Sequence, residues 1–240
     1  MEKIAVVTGS SSGIGFETAL ALAREGYYTY ATMRDTKKDN PIKEIAKKEN
    51  LNLEVLELDV DNDQIVQAAI NKILKEKNRI DVLVNNAGYG LFGCLEDLSM
   101  EELKAQFETN FFGAVRVSQA VIPVMRKQKS GIIVNVSSVA GRIGFPVSPA
   151  YISSKFALEG LSESMRYELS PFGINIIIIE PGVIKTNFMS SVKKSMKPDS
   201  VYKDITNKVI AGITMMAEMG TPAQEVARTI IKAIKSENPL

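Results

Sequence analysis

Tyr151 and Lys155 are the side chains of this sequence best placed for proton transfer, because they are four residues apart. If both lie in one helix, positions i and i+4 share a face, so the two side chains point toward one site. A free phenol has a pKa of about 10, and a nearby ammonium favours the phenolate. The pair therefore predicts a tyrosine acid/base whose pKa is lowered by a lysine.

Ser138 lies thirteen residues before Tyr151 and follows an apolar run that ends at residue 136. A carbonyl carbon that accepts hydride leaves negative charge on its oxygen, which then needs a proton donor and a hydrogen-bond donor. Tyr151 and Ser138 suit these two roles. Ser137 is the competing serine, and we expect it to bond local backbone.

Histidine is absent from the 240 residues. Its absence excludes a Ser-His-Asp triad, a His-ligated zinc site and a histidine general base. We expect no metal site. Cys94 is the single cysteine, cannot form an intramolecular disulfide and is assigned no chemical role. Proton chemistry near neutral pH must then use tyrosine, lysine, cysteine or a carboxylate whose environment shifts its pKa.

A glycine-bearing turn follows the first apolar run of the chain and leads into a segment with helical spacing of apolar residues. Glycines let the backbone approach phosphate groups closely, while free N–H groups and the positive end of a helix face negative charge. A tight strand–helix turn is the plainer alternative. The position of the turn favours a pyrophosphate site formed by Gly9, Ser11, Ser12, Gly13, Ile14 and Gly15.

Short apolar runs alternate with segments long enough for crossover helices. No repeat, linker or low-complexity tract divides the chain. The sequence predicts an α/β fold with one doubly wound parallel β-sheet flanked by helices on both faces, as a single domain over residues 1–240. We expect residues 37–50 to form a solvated loop that leads into a helix. The six expected strands cover residues 4–7, 27–32, 53–58, 82–84, 132–136 and 174–179.

The charge balance argues against nucleic-acid binding, because the formal net charge is +1 with 24% charged residues. The single cysteine gives no sign of an oxidising compartment, and the first apolar run is too short for a signal peptide. No stretch approaches the ~18 apolar residues of a membrane span. These features predict a cytoplasmic protein with a small-molecule partner.

The glycine turn and the proton-transfer residues occur together with other short motifs in one order. Thr-Gly-x-x-x-Gly-x-Gly at residues 8–15, Asn-Asn-Ala-Gly at residues 85–88, the Tyr-x-x-x-Lys pair and Pro-Gly at residues 181–182 resemble the short-chain dehydrogenase/reductase family. The resemblance runs from residue 4 to residue 188 and implies a Rossmann fold and a nicotinamide-dependent oxidoreductase. The glycine spacing resembles the oxidoreductase branch rather than the epimerases.

The resemblance implies roles for individual residues. The catalytic set would be Asn110, Ser138, Tyr151 and Lys155, with Asn110 holding a water that links Lys155 to a proton relay. An amide bonded to backbone inside a helix is the plainer reading of Asn110. Besides the glycine turn, the implied cofactor contacts are Asp59, Val60, Asn86, Ala87, Gly88, Tyr151, Lys155, Pro181, Gly182, Val183 and Thr186. Asp59 could equally cap the next helix.

The end of the second strand bears on the choice between NAD(H) and NADP(H). An acidic residue there would hold the ribose hydroxyls of NAD. Met33 occupies that position instead, and Arg34 follows it with a guanidinium suited to the 2′-phosphate of NADP. NADP(H) is favoured. Asp35 leaves NAD(H) open, since it could reach the ribose or pair with Arg34.

Residues 183–220 are expected to form the substrate-loop region. With the stretches 89–92 and 141–147, the apolar residues 188–196 predict a pocket for a hydrophobic carbonyl or alcohol. Coverage of the sheet by the same side chains is the alternative. Several segments resemble the hydroxysteroid and retinol dehydrogenase subgroup. The alternatives in function are a 3-oxoacyl thioester reductase and a non-catalytic NADP(H)-binding regulator. Met215, Met216 and Met219 are expected to pack in the core.

Apolar residues from Phe111 and Phe112 through Met125 exceed what one packed helix face needs. They predict a helix shared with a second subunit, and a homodimer is favoured. The chain stops soon after the helical stretch 223–235, without the seventh strand common in the family. This difference leaves the catalytic residues untouched, because they lie upstream.

Overall fold

The computed structural model describes residues 2–236 and contains a six-stranded parallel sheet. Its strand order is β3-β2-β1-β4-β6-β7, in which the chain reverses direction across the sheet between β1 and β4. This topology confirms the predicted doubly wound fold. The strands are β1 (Ile4–Val7), β2 (Tyr28–Met33), β3 (Leu53–Glu57), β4 (Val82–Asn85), β6 (Gly131–Val136) and β7 (Ile174–Ile179).

Helices cover both faces of the sheet. On one face, α1 (Gly13–Arg24), α2 (Asn40–Lys48) and α9 (Ala223–Lys235) pack against the strands. On the other face lie α3 (Asp63–Lys77), α5 (Gly113–Gln128) and α6 (Pro149–Leu169). Successive residues of β1 divide between the two cores, because side chains alternate along a strand. Burial on both faces explains why β1 is continuously apolar.

The shorter elements lie at the carboxyl ends of the strands. Two pairs of short parallel strands join distant loops, β5 (Leu91–Phe92) with β9 (Lys193–Lys194) and β8 (Ile184–Lys185) with β10 (Thr221–Pro222). The remaining helices are α4 (Met100–Phe107), α7 (Phe188–Ser191) and α8 (Lys203–Glu218). Together they form a rim over one end of the sheet.

Two local expectations need correction. The stretch 37–50 is mostly the helix α2, whose Ile42 and Ala46 are buried, because its few apolar residues lie one turn apart and pack on the sheet. Met215, Met216 and Met219 are 64%, 49% and 83% exposed rather than packed in the core, since α8 lies at the rim.

Two expectations concern the end of the chain. The helix at 223–235 appears as expected, while the expectation that no seventh strand follows falls on residues 237–240, outside the described residues. Within residues 2–236, none of the helices has the length and apolar character needed to cross a lipid bilayer.

A chain of buried polar side chains links the middle strands to the helices on one face. The Asn85 amide on β4 donates to Asn135 Oδ1 on β6 and to Ser118 Oγ on α5, both at 2.9 Å. The Asn135 amide in turn donates to Ser162 Oγ on α6 at 2.8 Å. Buried amides are tolerated when they are paired in this way.

Replacing Asn135 with alanine should therefore destabilise the protein by about 1–3 kcal/mol, because the Asn85 amide and the Ser162 hydroxyl lose a buried partner. Urea unfolding followed by circular dichroism measures the change. Asn175→Ala is the matched control, since Asn175 is an exposed asparagine on β7, and its effect should stay within about 0.5 kcal/mol. Equal losses in the two variants would contradict the role given to this network.

Candidate active site

A cleft of about 590 Å³ opens at the carboxyl ends of the parallel strands. This edge is where ligands bind in open α/β sheets. Most residues assigned to the site from the sequence line the cleft, and they come from the segments that follow the six strands of the main sheet. They are Gly9, Ser11, Ser12, Gly13, Ile14, Arg34, Asp59, Val60, Asn86, Ala87, Gly88, Ser138, Tyr151, Lys155, Pro181, Gly182 and Thr186. Three assigned residues, Gly15, Asn110 and Val183, are not part of its wall.

The glycine turn lies so close to the loop after β4 that positions 9 and 15 have no room for a side chain. A Cβ on Gly9 would lie 2.8 Å from the Cα of Ala87, and Gly9 also has a positive φ of 68°. A Cβ on Gly15 would lie 2.4 Å from Asn86 Nδ2 and 2.5 Å from the Gly9 oxygen. Gly15 therefore acts from beneath the cleft wall, by allowing α1 to approach the turn.

The start of α1 suits an anionic group. Its first turn contains no acidic residue, and the side chain of Ser12, which precedes the helix, caps none of the first backbone N–H groups. These N–H groups and the positive end of the helix dipole face the cleft. A phosphate fits this cradle by charge and by backbone approach. Thr186 packs over Gly13 from the opposite wall. A Cβ added to Gly13 would lie 3.5 Å from the Thr186 side chain.

Tyr151 and Lys155 both lie on the first two turns of α6, as their spacing predicted. The Lys155 Nζ donates to the Val136 carbonyl at 2.8 Å and lies 5.8 Å from the centre of the Tyr151 ring. Burial lowers the pKa of Lys155 to about 8, against a weaker opposite effect of Glu159. This lysine therefore loses its proton more readily than a solvated one.

The pKa of Tyr151 differs from expectation. Burial of the phenol raises this pKa, and a hydrogen bond with Ser138 lowers it only in part. We expected Lys155 to lower the pKa of the phenol, but the Lys155 ammonium is bonded to the Val136 carbonyl. Desolvation of the phenol is the dominant effect on this pKa.

Ser138 is the serine that reaches the phenol. Its hydroxyl accepts from the Ala140 N–H at 3.1 Å and donates to the Pro181 carbonyl at 3.3 Å, and its proximity to the phenol lowers the pKa of Tyr151. Ser137 was expected to bond local backbone, and the structure shows otherwise. Its buried hydroxyl makes no such bond among the described residues and faces Glu159 instead. The backbone turn after β6 directs the two side chains to opposite sides.

Asn110 lies in a π-helical turn, Glu108–Phe112, and is 2% exposed. Its Oδ1 accepts from the Tyr89 N–H at 3.0 Å, and its Nδ2 donates to the Tyr89 carbonyl at 3.0 Å and to Ser154 Oγ at 3.3 Å. Gln106, which sequence reasoning missed, donates to the same Tyr89 carbonyl at 2.9 Å. Both amides fix the loop after β4, and the water-holding role of Asn110 stays a prediction.

Arg34 is exposed at the cleft wall. Among residues 2–236, no carboxylate lies within ion-pair distance of it, because the Asp35 side chain accepts from the Lys37 N–H at 3.0 Å instead. Asp61 also lines this part of the cleft and accepts from Thr109 Oγ1 at 2.8 Å. The sequence offered no signal for Asp61 or Thr109, since their proximity arises from packing of the π-helical turn Glu108–Phe112 against the loop after β3.

Comparison with known proteins agrees with this site. Residues 3–197 match the family described as short chain dehydrogenase. The chain belongs to this family. It is therefore an oxidoreductase that acts on CH–OH groups with a nicotinamide cofactor.

Two named relatives resemble nearly the whole chain. Retinol dehydrogenase 8 of Bos taurus is 40% identical over 249 residues, which is 98% of this chain and 78% of the relative. A 3-ketodihydrosphingosine reductase of Bacteroides thetaiotaomicron is 36% identical over 239 residues, which is 99% of this chain and 85% of the relative.

Solved structures resemble the fold in the same way. An alcohol dehydrogenase from Thermococcus sibiricus complexed with 5-hydroxy-NADP is 28% identical, with a TM-score of 0.81 over 98% of this chain and 92% of that one. A Burkholderia phymatum dehydrogenase/reductase in complex with NAD is 24% identical, with a TM-score of 0.88 over 97% and 85%. The second likeness bears on the fold alone.

Gly15→Ala should weaken the binding of NADPH at least about tenfold, because the new methyl group forces α1 away from Asn86 and the Gly9 carbonyl. Titration of NADPH fluorescence measures the dissociation constant. Gly160→Ala is the matched control, since Gly160 is also a helical glycine but has open space around its Cβ position. Its NADPH affinity should equal that of the wild type. Unchanged affinity in Gly15→Ala would contradict the proposed phosphate cradle.

Proposed function

We propose that this protein is an NADP(H)-preferring oxidoreductase that interconverts a carbonyl and a secondary alcohol on a hydrophobic substrate. The observation that carries the proposal is the meeting of Tyr151 and Ser138 at the inner end of a cleft whose outer end is a phosphate cradle. A site of this form holds a dinucleotide along the cleft and a substrate oxygen beside the phenol.

Residues of the cleft account for each part of a bound dinucleotide. The glycine turn and the start of α1 would hold the pyrophosphate, Asp59 and Val60 would flank the adenine, and residues 86–88 with Pro181 would enclose the inner end. The nicotinamide, when bound, supplies or accepts the hydride at the substrate carbon.

The protein side chains transfer the proton and stabilise the charge on the substrate oxygen. In the direction of reduction, the neutral Tyr151 phenol donates its proton to that oxygen, while Ser138 donates a hydrogen bond to it. The raised pKa of Tyr151 keeps the phenol protonated before the reaction. Lys155 lies behind the ring and stabilises the phenolate that forms.

Arg34 supports a preference for NADP(H). Its guanidinium lies at the cleft wall without a competing ion pair among the described residues, and Asp35 is engaged with the backbone at Lys37. A free guanidinium can bind a 2′-phosphate through two hydrogen bonds. Met33, at the end of β2, provides no carboxylate for the ribose hydroxyls of NAD.

The inner end of the cleft supports a hydrophobic substrate. Phe188 lies against Tyr151, with 6.0 Å between the ring centres, and Tyr89 lines the same wall. The names of the two relatives refer to a retinoid and a sphingoid base, both largely apolar molecules.

Exposed Phe112 and Phe156, on or beside α5 and α6, support the further proposal of a homodimer, because an apolar face of this kind favours burial against a second copy.

Tyr151→Phe should lower the rate of carbonyl reduction by about 10²–10⁴-fold, because the proton donor is lost. The assay follows NADPH oxidation with a panel of ketosteroids, retinal, aromatic aldehydes and 3-oxoacyl thioesters. Tyr167→Phe is the control, since Tyr167 lies on the same helix with 85% exposure, and it should leave the rate unchanged. Full turnover in Tyr151→Phe would exclude the phenol as the acid, and tight NADPH binding without turnover on any substrate would favour a regulator.

Arg34→Gln should raise the KM for NADPH about tenfold or more and leave the KM for NADH within about twofold, because a hydrogen-bonded charge pair contributes about 1.5–3 kcal/mol. Initial rates at varied cofactor concentration give both constants. Arg228→Gln on α9, 74% exposed at its side chain, serves as the control for loss of a surface arginine. A wild-type enzyme faster with NADH, or equal increases in the two constants, would overturn the NADP(H) assignment.

A further inference from the structure

A buried carboxyl group lies on α6 directly after the two proton-transfer residues. Glu159 is 4% exposed and follows Lys155 by four residues, just as Lys155 follows Tyr151. The three side chains therefore share one face of the helix. A glutamate this buried is rare unless it is paired, since transfer of a lone carboxylate from water is costly.

The turn after β6 is shaped around this carboxyl group. A Cβ on Gly141 would lie 2.9 Å from Glu159 Oε1, 2.8 Å from its Cγ and 2.7 Å from Ser137 Oγ. Only glycine lets the backbone approach so closely. Ser137, next to Ser138 in the chain, faces the Glu159 carboxyl rather than the Tyr151 phenol. The same turn thus contacts Glu159 on one side and Tyr151 on the other.

Arg142 provides the outer counter-charge of Glu159. Its guanidinium lies 3.2 Å from Glu159 Oε2, and it also pairs with Glu163 at 3.1 Å and Glu180 at 2.8 Å. Burial raises the pKa of Glu159, while Ser137 and the charge of Arg142 lower it. One guanidinium shared among three carboxylates leaves the cluster with a net negative charge, and Glu159 is its buried member.

The positive charge of Lys155 has few groups nearby that stabilise it. It is 6% exposed, and its ammonium donates to the Val136 carbonyl. Burial lowers the pKa of this ammonium, and Glu159 is the charged group that opposes the effect. Glu159 is buried one turn further along the same helix face, and a nearby opposite charge favours the charged form of a buried group.

We propose that Glu159 is a positioning residue for the reaction proposed above, whose buried carboxylate keeps Lys155 protonated behind Tyr151. The inference rests on the proposed function only for its catalytic consequence. The electrostatic link between Glu159 and Lys155 is a property of the folded chain and can be measured without turnover.

The first test follows the titration of Lys155 by NMR of protein labelled with ¹³C at lysine Cε, with Lys155→Met to assign the signal. In Glu159→Gln the titration midpoint should fall by about one pH unit relative to the wild type. Glu163→Gln is the matched control, because Glu163 lies one turn further on the same helix and also pairs with Arg142, but its side chain is 53% exposed. Its midpoint should equal that of the wild type. An unchanged midpoint in Glu159→Gln would overturn the proposal.

If Glu159→Gln does not fold, the reciprocal measurement decides. Coupling between two titrating groups is mutual, so Lys155→Met should raise the titration midpoint of Glu159 by the same amount, as seen with ¹³C at glutamate Cδ. No shift there would overturn the proposal.

The catalytic consequence has its own readout. The alkaline fall in kcat/KM for carbonyl reduction should move to lower pH in Glu159→Gln and stay in place in Glu163→Gln, while the dissociation constant of NADPH is unchanged in both. A fall that does not move, despite a shifted Lys155 titration, would show that the charge of Lys155 does not limit the reaction. Absence of turnover in the wild type would contradict the proposed function and leave the titration result standing.

Discussion

The interlocking of two loops, one after β1 and one after β4, is the constraint on which the site depends. Thr8 Oγ1 accepts from the N–H groups of Asn86 and Ala87, each at 3.0 Å, and the Asn86 amide donates back to the carbonyls of Thr8 and Gly9. These bonds leave no space for a Cβ at Gly9 or Gly15. Since β4 also pairs with β6, the phosphate cradle is placed at a fixed distance from the turn that carries Ser138.

Helix α6 holds polar groups in a place where a core would normally be apolar. Ser154, Lys155, Glu159 and Ser162 are all buried on it. The two hydrophobic cores on either side of the sheet supply the burial that stabilises the fold. Because these cores stabilise the fold, one face of α6 can carry charged groups whose environment shifts their pKa, as active sites commonly require.

The substrate end is built differently from the cofactor end. Two-residue strands join the rim to the loops after β4 and β7, β5 pairing with β9 and β8 with β10, and the carbonyls of Gly90 and Phe92 accept backbone hydrogen bonds in the first pair. Such short strands constrain the backbone but leave side chains free to differ. Members of one family can thus share the reaction while acting on different molecules.

The amino-acid sequence determined where the strands lie along the chain, the glycine turn, and the spacing of Tyr151 and Lys155 on one helix face. These features follow from local rules, because apolar runs, glycine positions and helical periodicity act over a few residues. The sequence did not show that Gln106 and Asn110 would clamp Tyr89, that Ser137 would face Glu159, or that burial would raise the pKa of Tyr151. Those properties depend on distances between segments far apart in the chain and on exclusion of water. Only the packed tertiary structure sets either of them.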